Sequence, residues 1–96
     1  MSGMEHETPE ISRHFLSVFT FLRDTKGWHT SKGIAAKANV SDRTARAHLL
    51  RLVNLGIADQ AEVFPAHRYR FSANAEKRNK AMMTRLKTAE EVLSQE

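Results

Sequence analysis

Basic and hydroxyl side chains between residues 41 and 51 are the part of the sequence best suited to binding chemistry. Positions three or four residues apart share one face of a helix, and Arg43, Arg46 and Ala47 have this spacing. Arginine donates paired hydrogen bonds to guanine edges or to phosphate oxygens, and a small alanine allows close approach of a partner. The residues predicted to bind are Ser41, Asp42, Arg43, Thr44, Arg46, Ala47 and Arg51.

An apolar face opposite these residues predicts the helix that positions them. Ala45, Leu49 and Leu52 recur at helical spacing, so the segment 41–55 predicts an amphipathic helix that Ser41 caps and Gly56 ends. Ser41 and Thr44 would lie at the helix start, where free backbone N–H groups bind phosphate. Leu50 falls on the polar face, where it contacts a thymine methyl group or packs against the following hairpin.

A second helix is predicted just before this one, over about residues 31–38, with Ile34, Ala35 and Ala38 facing the core. Asn39 tolerates the left-handed backbone of the sharp turn between the two helices. Lys32 and Lys37 are candidate neighbours of phosphate on this helix, the alternative being an ordinary solvated face.

The segment 62–71 predicts a β-hairpin with one basic face. Residues 68–71 alternate, which separates Arg68 and Arg70 from Tyr69 and Phe71. A short edge strand at 28–30 should pair with this hairpin, and Trp28 and Tyr69 are expected in the core. Arg68 and Arg70, with His67 near the tip, are further candidate contacts to a polyanion; the alternative is a charged strand that resists sheet pairing.

Longer helices are predicted on either side of this unit. The first spans about 9–25, begins at Thr8-Pro9 and carries an aromatic stripe; the last spans about 74–94 and has a heptad-like seam with Asn79 on it. The last helix either pairs with a second chain or folds back on the first helix, and its length favours pairing. The predicted dimerisation residues are Phe15, Phe19, Met82, Leu86, Ala89 and Leu93.

Length and composition indicate one small domain without a cofactor. The 96 residues divide into a disordered segment 1–8, a domain 9–72 and a C-terminal helix 73–96 that serves dimerisation. There is no cysteine, and the five histidines lack the spacing of metal-ligand pairs, so we expect no metal, no cofactor, no small-molecule ligand and no enzymatic activity. Short apolar runs and an acidic N-terminal stretch predict neither a membrane span nor a signal peptide, and hence a cytoplasmic protein.

The predicted order of helix, strand, two helices, two strands and helix resembles the winged helix-turn-helix superfamily. Among its members, the MarR-like and ArsR-like transcriptional regulators of bacteria are the most similar in layout. The resemblance spans residues 30–71 and is carried by Ile34-Ala35, Ala38, Val40-Ser41, Leu49, Leu52 and Gly56. The sequence departs from the usual pattern at Ala45, where these families place a larger apolar residue.

This resemblance implies a mainly α fold with a small β-hairpin wing and a function in binding double-stranded DNA. A homodimeric transcriptional regulator would read an inverted repeat, with the helix 41–55 in the major groove and the wing 62–71 on the flanking backbone. The net charge of +4 and the basic middle of the chain suit this partner. Two alternatives are a protein–protein interaction module and a replication or partition component that binds DNA without regulating transcription.

Overall fold

The structure is a computed structural model that describes residues 11–63 and 65–95. In this part of the chain the elements are α1 (Arg13–Asp24), β1 (His29–Thr30), α2 (Ser31–Ala38), α3 (Asp42–Asn54), β2 (Ala58–Ala61), β3 (Arg68–Phe71), α4 (Ala75–Arg78) and α5 (Lys80–Ser94). The predicted mainly α fold with a small β-hairpin wing is confirmed. The predicted disorder of residues 1–8 and the Thr8-Pro9 helix start lie outside the described residues.

Helix α1 begins at Arg13, because Ser12 caps it. The Ser12 backbone is extended, and its Oγ accepts a hydrogen bond from the Phe15 N–H at 3.1 Å. The helix ends at Asp24, with Thr25 as its C-cap, and it is followed by Gly27, whose φ of 101° suits glycine.

The turn between α2 and α3 has the predicted conformation. Thr30 caps α2 by accepting a hydrogen bond from the Gly33 N–H at 3.1 Å. Asn39 ends the helix in the left-handed region, with φ 59° and ψ 48°. Ser41 caps α3 through the Thr44 N–H at 3.0 Å. These short local contacts fix where α3 starts and hence which of its residues face outward.

The three strands form one antiparallel sheet in the order β1-β3-β2. Tyr69 lies at the centre of this sheet, opposite His29 on one side and Gln60 on the other, and it is buried. The edge strand was thus predicted correctly. The prediction for Trp28 was wrong: its side chain is 40% exposed and lies on the outside of the sheet, where the Arg70 guanidinium stacks on it.

Helix α1 lies at the centre of the hydrophobic core. Phe15 and Phe19 have no exposed surface. The Phe15 ring packs edge-on against His48 of α3, and the Phe19 ring packs edge-on against Phe71 of β3. Ala45 is also fully buried, as expected for a residue at which α2 and α3 approach each other closely.

The predicted single C-terminal helix is two helices, α4 and α5, which are separated at Asn79. The backbone of Asn79 is not helical, with φ −152° and ψ 72°. Its side chain accepts a hydrogen bond from the Met82 N–H at 3.1 Å and donates one to the Leu55 carbonyl at 3.0 Å. An asparagine that binds nearby backbone groups competes with helix continuation, and here it also joins α5 to the end of α3.

The residues that were predicted to contact a second subunit are largely buried within a single chain. Phe15, Phe19, Met82 and Leu86 are at most 4% exposed within one chain, and Ala89 and Leu93 are partly buried against the same core. These residues belong to the core because α5 folds back on α1. Arg23 of α1 binds both carboxylate oxygens of Glu90 on α5, at 2.6 and 2.8 Å. A dimer interface on α5 would have to use its exposed side chains.

Replacement of Asn79 by alanine should destabilise the protein. Asn79→Ala removes an N-terminal cap and a donor to the end of α3, so the free energy of unfolding should fall by about 1–2 kcal/mol. Urea unfolding followed by circular dichroism measures this change. Asn74→Ala is the matched control, because the Asn74 side chain makes no capping hydrogen bond to α4; equal losses in both variants would refute the assigned function of Asn79.

His48 should make the stability of the fold depend on pH. Its ring is half-buried between α1 and α3, and its Nδ1 has no hydrogen-bond partner in the described chain. Burial, followed by the charges of Arg51 and His14, lowers the pKa of His48 below its ordinary value of 6.5. Because the folded state disfavours the protonated ring, the unfolded chain binds a proton more readily, and stability is lost as the pH falls below that value.

Urea unfolding at about pH 7.5 and about pH 5 tests this linkage. The wild-type chain should lose stability between the two conditions, and His48→Gln should lose less because its side chain does not titrate. His67→Gln, on the exposed wing, is the control and should retain the full loss. If His48→Gln shows the same loss as the wild-type chain, His48 does not cause the pH dependence.

Candidate nucleic-acid interface

One face of α3 presents basic and small side chains to solvent. Arg43, Arg46, Ala47 and Leu50 are exposed, whereas Ala45, Leu49 and Leu52 on the opposite face are fully buried. Leu50 is 52% exposed, so about half of its surface is open to a partner. The exposed face therefore combines two guanidinium groups with an apolar contact surface, all within about two helical turns.

The start of α3 is held by its own hydroxyl groups. Ser41 Oγ accepts the Thr44 N–H and donates to Thr44 Oγ1 at 3.0 Å. The Ser41 hydroxyl is thus occupied by capping, and the Thr44 hydroxyl proton remains available to a partner's acceptor. Backbone N–H groups of the first turn lie at the same end of the helix, which is the end suited to phosphate.

Asp42 binds side chains on two helices of its own chain. Its Oδ1 accepts a hydrogen bond from Ser31 Oγ at 2.8 Å, and its Oδ2 lies 2.9 Å from Arg46 Nη1. Asp42 thereby connects the first residue of α2 to the exposed face of α3. Ser31 was missed as part of this surface, because only the packing of the two helices brings it close to Asp42.

Arg51 does not share the exposed face with Arg43 and Arg46. Its guanidinium lies 4.8 Å from the centre of the Phe15 ring, and the residue is half-buried. A cation over an aromatic ring is a favourable contact, and the arginine stem covers apolar surface. Helical spacing alone could not show this, because it fixes the Cβ direction but not where a long side chain ends.

The wing carries a second basic surface that is held by an acid and an aromatic ring. Arg70 binds Asp59 on the neighbouring strand at 3.2 Å and stacks on Trp28, with 4.4 Å from the guanidinium carbon to the ring centre. Asp59 also binds Arg78 of α4 at 3.2 Å. Trp28 and Asp59 were missed as parts of this surface, although the cross-strand pairing of Asp59 with Arg70 would follow from the hairpin register.

The other predicted contacts are distributed around these two surfaces. His67 is exposed, and its Nδ1 lies 2.9 Å from the Gln60 side-chain nitrogen, whereas Arg68 is half-buried on the wing. Lys32 and Lys37 are both exposed on α2, near its beginning and its end respectively. Helix α2 packs on α3. These lysines therefore belong to the helix that flanks the exposed face and not to α3 itself.

A further cluster of charges lies away from α3 and the wing. The Arg23 guanidinium hydrogen-bonds to Glu90 and to Asp24, which raises the pKa of Arg23 and lowers the pKa of both carboxyl groups. These charged groups therefore bind one another within the chain. Within residues 11–63 and 65–95, no three His, Asp or Glu side chains are arranged to hold a metal ion, and no described helix combines the length and apolar content required to cross a bilayer.

Comparison with known proteins identifies the fold and not a family. No protein-family model and no curated protein matches this sequence. The ST1889 protein of the archaeon Sulfolobus tokodaii is similar in structure, with a TM-score of 0.66 and 19% identity over 88% of this chain and 84% of that one. The DNA-binding protein Sso10a-2 of Sulfolobus solfataricus has a TM-score of 0.58 and 16% identity, over 83% of this chain and 84% of that one.

The transcriptional regulator PA4135 is a longer protein of the same fold. It has a TM-score of 0.64 and 16% identity, and 88% of this chain covers 61% of its length. Identities this low carry a conclusion about the fold alone and none about activity. The chain has the winged helix-turn-helix fold.

Proposed function

We propose that this protein binds double-stranded DNA in a sequence-specific manner and regulates transcription. The observation that carries the proposal is the exposed face of α3, where Arg43, Arg46 and Leu50 lie at helical spacing above a fully buried apolar face. A helix of this kind fits the major groove. Arginine pairs with guanine there, and an exposed leucine can contact a thymine methyl group.

The wing supplies contacts to the flanking backbone in this proposal. Arg70 is held in place by Asp59 and Trp28, and an arginine held in one position loses less side-chain entropy when it binds phosphate. Lys32 and Lys37 add positive charge on α2 next to the recognition helix, and the chain as a whole carries a net charge of +4. Such charges increase affinity for any duplex, whereas contacts in the groove select the sequence.

We further propose that the protein acts as a homodimer that reads an inverted repeat. A two-fold axis would present two copies of α3 to successive turns of the major groove. Val92 supports an interface on α5, because it is an exposed apolar residue at 56% exposure and it neighbours the partly buried Leu93. The buried residues Met82 and Leu86 remain in the core of each subunit.

The names of two similar structures agree with this function without establishing it. Sso10a-2 is described as a DNA-binding protein and PA4135 as a transcriptional regulator. A winged helix can also be a protein–protein interaction module, or a replication or partition component that binds DNA without regulating transcription, because a fold does not determine a function. Duplex binding separates the protein–protein interaction module from the two DNA-binding functions.

Replacement of the exposed arginines of α3 should weaken binding to DNA. Arg43→Ala and Arg46→Ala should each lower the affinity for a duplex that the wild-type chain selects from a random-sequence pool by about tenfold or more, because a bidentate arginine–guanine pair contributes about 1–3 kcal/mol. Fluorescence anisotropy at several salt concentrations measures this change. Wild-type affinity should fall steeply as salt rises.

Lys87→Ala is the matched control for lost charge. Lys87 is exposed on α5 and pairs with Glu76 on α4, so its removal should change the affinity for the selected duplex by less than about twofold. If neither α3 variant binds more weakly than this control, α3 is not the recognition helix. If the wild-type chain binds no duplex at low salt, the proposal of DNA binding is wrong, and a protein–protein interaction module becomes the favoured function.

Replacement of Val92 by a charged residue should dissociate the proposed dimer into single chains. The wild-type chain should sediment at twice its mass of 10.9 kDa, and Val92→Glu should sediment as a single chain, because a carboxylate in an apolar interface is strongly unfavourable. Deleting α5 is no substitute, since Met82, Met83 and Leu86 complete the core. Val63→Glu, at an exposed position near the wing, is the control and should stay dimeric; a wild-type chain that sediments at 10.9 kDa would refute the dimer.

A further inference from the structure

Asp42 is an acid in the middle of a surface that we propose binds a polyanion. It is the first residue of α3, between Ser41 and Arg43, and a carboxylate close to phosphate is repelled. An acid in the first turn is favourable for the helix itself. This explains why a charge is tolerated there, but it does not explain why the carboxylate binds one group on another helix and one on the exposed face.

Both oxygens of Asp42 are occupied by groups that fix it and Arg46 relative to each other. Ser31, the first residue of α2, donates to Oδ1 at 2.8 Å, and Arg46 approaches Oδ2 to 2.9 Å from one turn further along α3. The Asp42 side chain is 32% exposed and that of Arg46 is 59% exposed. A pair this exposed contributes little to stability, so its main physical effect is on the position of the guanidinium.

We propose that Asp42 is a positioning residue that determines specificity, a role that rests on the proposed recognition of DNA by α3. Asp42 holds the Arg46 guanidinium in one orientation, in which it meets a base edge with less loss of side-chain freedom. Its negative charge at the same time opposes the attraction to phosphate that acts on every sequence. Both effects widen the difference between the affinity for the correct duplex and the affinity for all others.

Asp42→Asn tests this proposal, because it keeps the shape of the side chain and removes the charge. Affinities are measured by anisotropy for two duplexes, one selected by the wild-type chain from a random-sequence pool and one scrambled version of equal length and composition. The affinity for the scrambled duplex should rise about two- to fivefold. The ratio of the two affinities should fall about tenfold, as expected when one arginine–base pair is loosened.

Two control variants separate positioning from charge and from stability. Glu91→Gln makes the same change in net charge at an exposed position of α5 and should leave the ratio unchanged. Ser31→Ala removes one hydrogen bond to Asp42 but keeps its charge, so it should lower the ratio of the two affinities less than Asp42→Asn does. Thermal unfolding of each variant shows how much of the protein is folded under the binding conditions.

Each remaining outcome identifies which of the two proposals is wrong. If Asp42→Asn weakens binding to both duplexes equally, Asp42 only supports the fold, and the positioning role is refuted. The positioning role is also refuted if the ratio is unchanged. If the wild-type chain binds duplexes but enriches no sequence from the pool, the sequence-specific part of the proposed function fails, and the positioning role fails with it. If the wild-type chain binds no duplex at all, the proposed function itself fails.

Discussion

In the described chain the arrangement of α2, α3, β3 and α5 depends on their packing against α1. Phe15 and Phe19 project from the same helix face and are fully buried, the first against His48 of α3 and the second against Phe71 of β3. Burying such a side chain contributes about 1.5–3 kcal/mol, more than an exposed ion pair supplies. One helix therefore fixes α3 and the wing relative to each other, and α5 holds α1 through the ion pair between Glu90 and Arg23.

Local physical rules made most of these elements predictable from the sequence. The spacing of Leu49 and Leu52 gave the buried face of α3, Ser41 gave its start, and Asn39 gave the left-handed turn before it. The break at Asn79 was not predictable in this way. It depends on a hydrogen bond to Leu55, 24 residues away, and contacts at such separations leave no periodic pattern in the sequence.

The apolar seam of α5 shows a different limit. A heptad-like pattern indicates that a helix face will be covered, because apolar surface is removed from water in either case, but it does not indicate whether the same chain or a second chain covers it. Here Met82 and Leu86 are covered by the chain's own core. The positions of long side chains could not be predicted from the sequence either. The Arg51 guanidinium lies over the Phe15 ring, and Trp28 lies outside the sheet with Arg70.

Two arginines of the proposed DNA surface, Arg46 and Arg70, share a property that helical or strand spacing does not reveal. Arg46 is paired with Asp42, and Arg70 is held between Asp59 and Trp28. Exposed pairs of this kind add little stability, so in the proposed function their effect is on binding. A held cation has less conformational freedom to lose, and the nearby acid lowers the attraction to phosphate in general. If the protein binds DNA as proposed, a surface built in this way gives up some affinity for arbitrary DNA, and it gains discrimination wherever the fixed guanidinium meets a matching base.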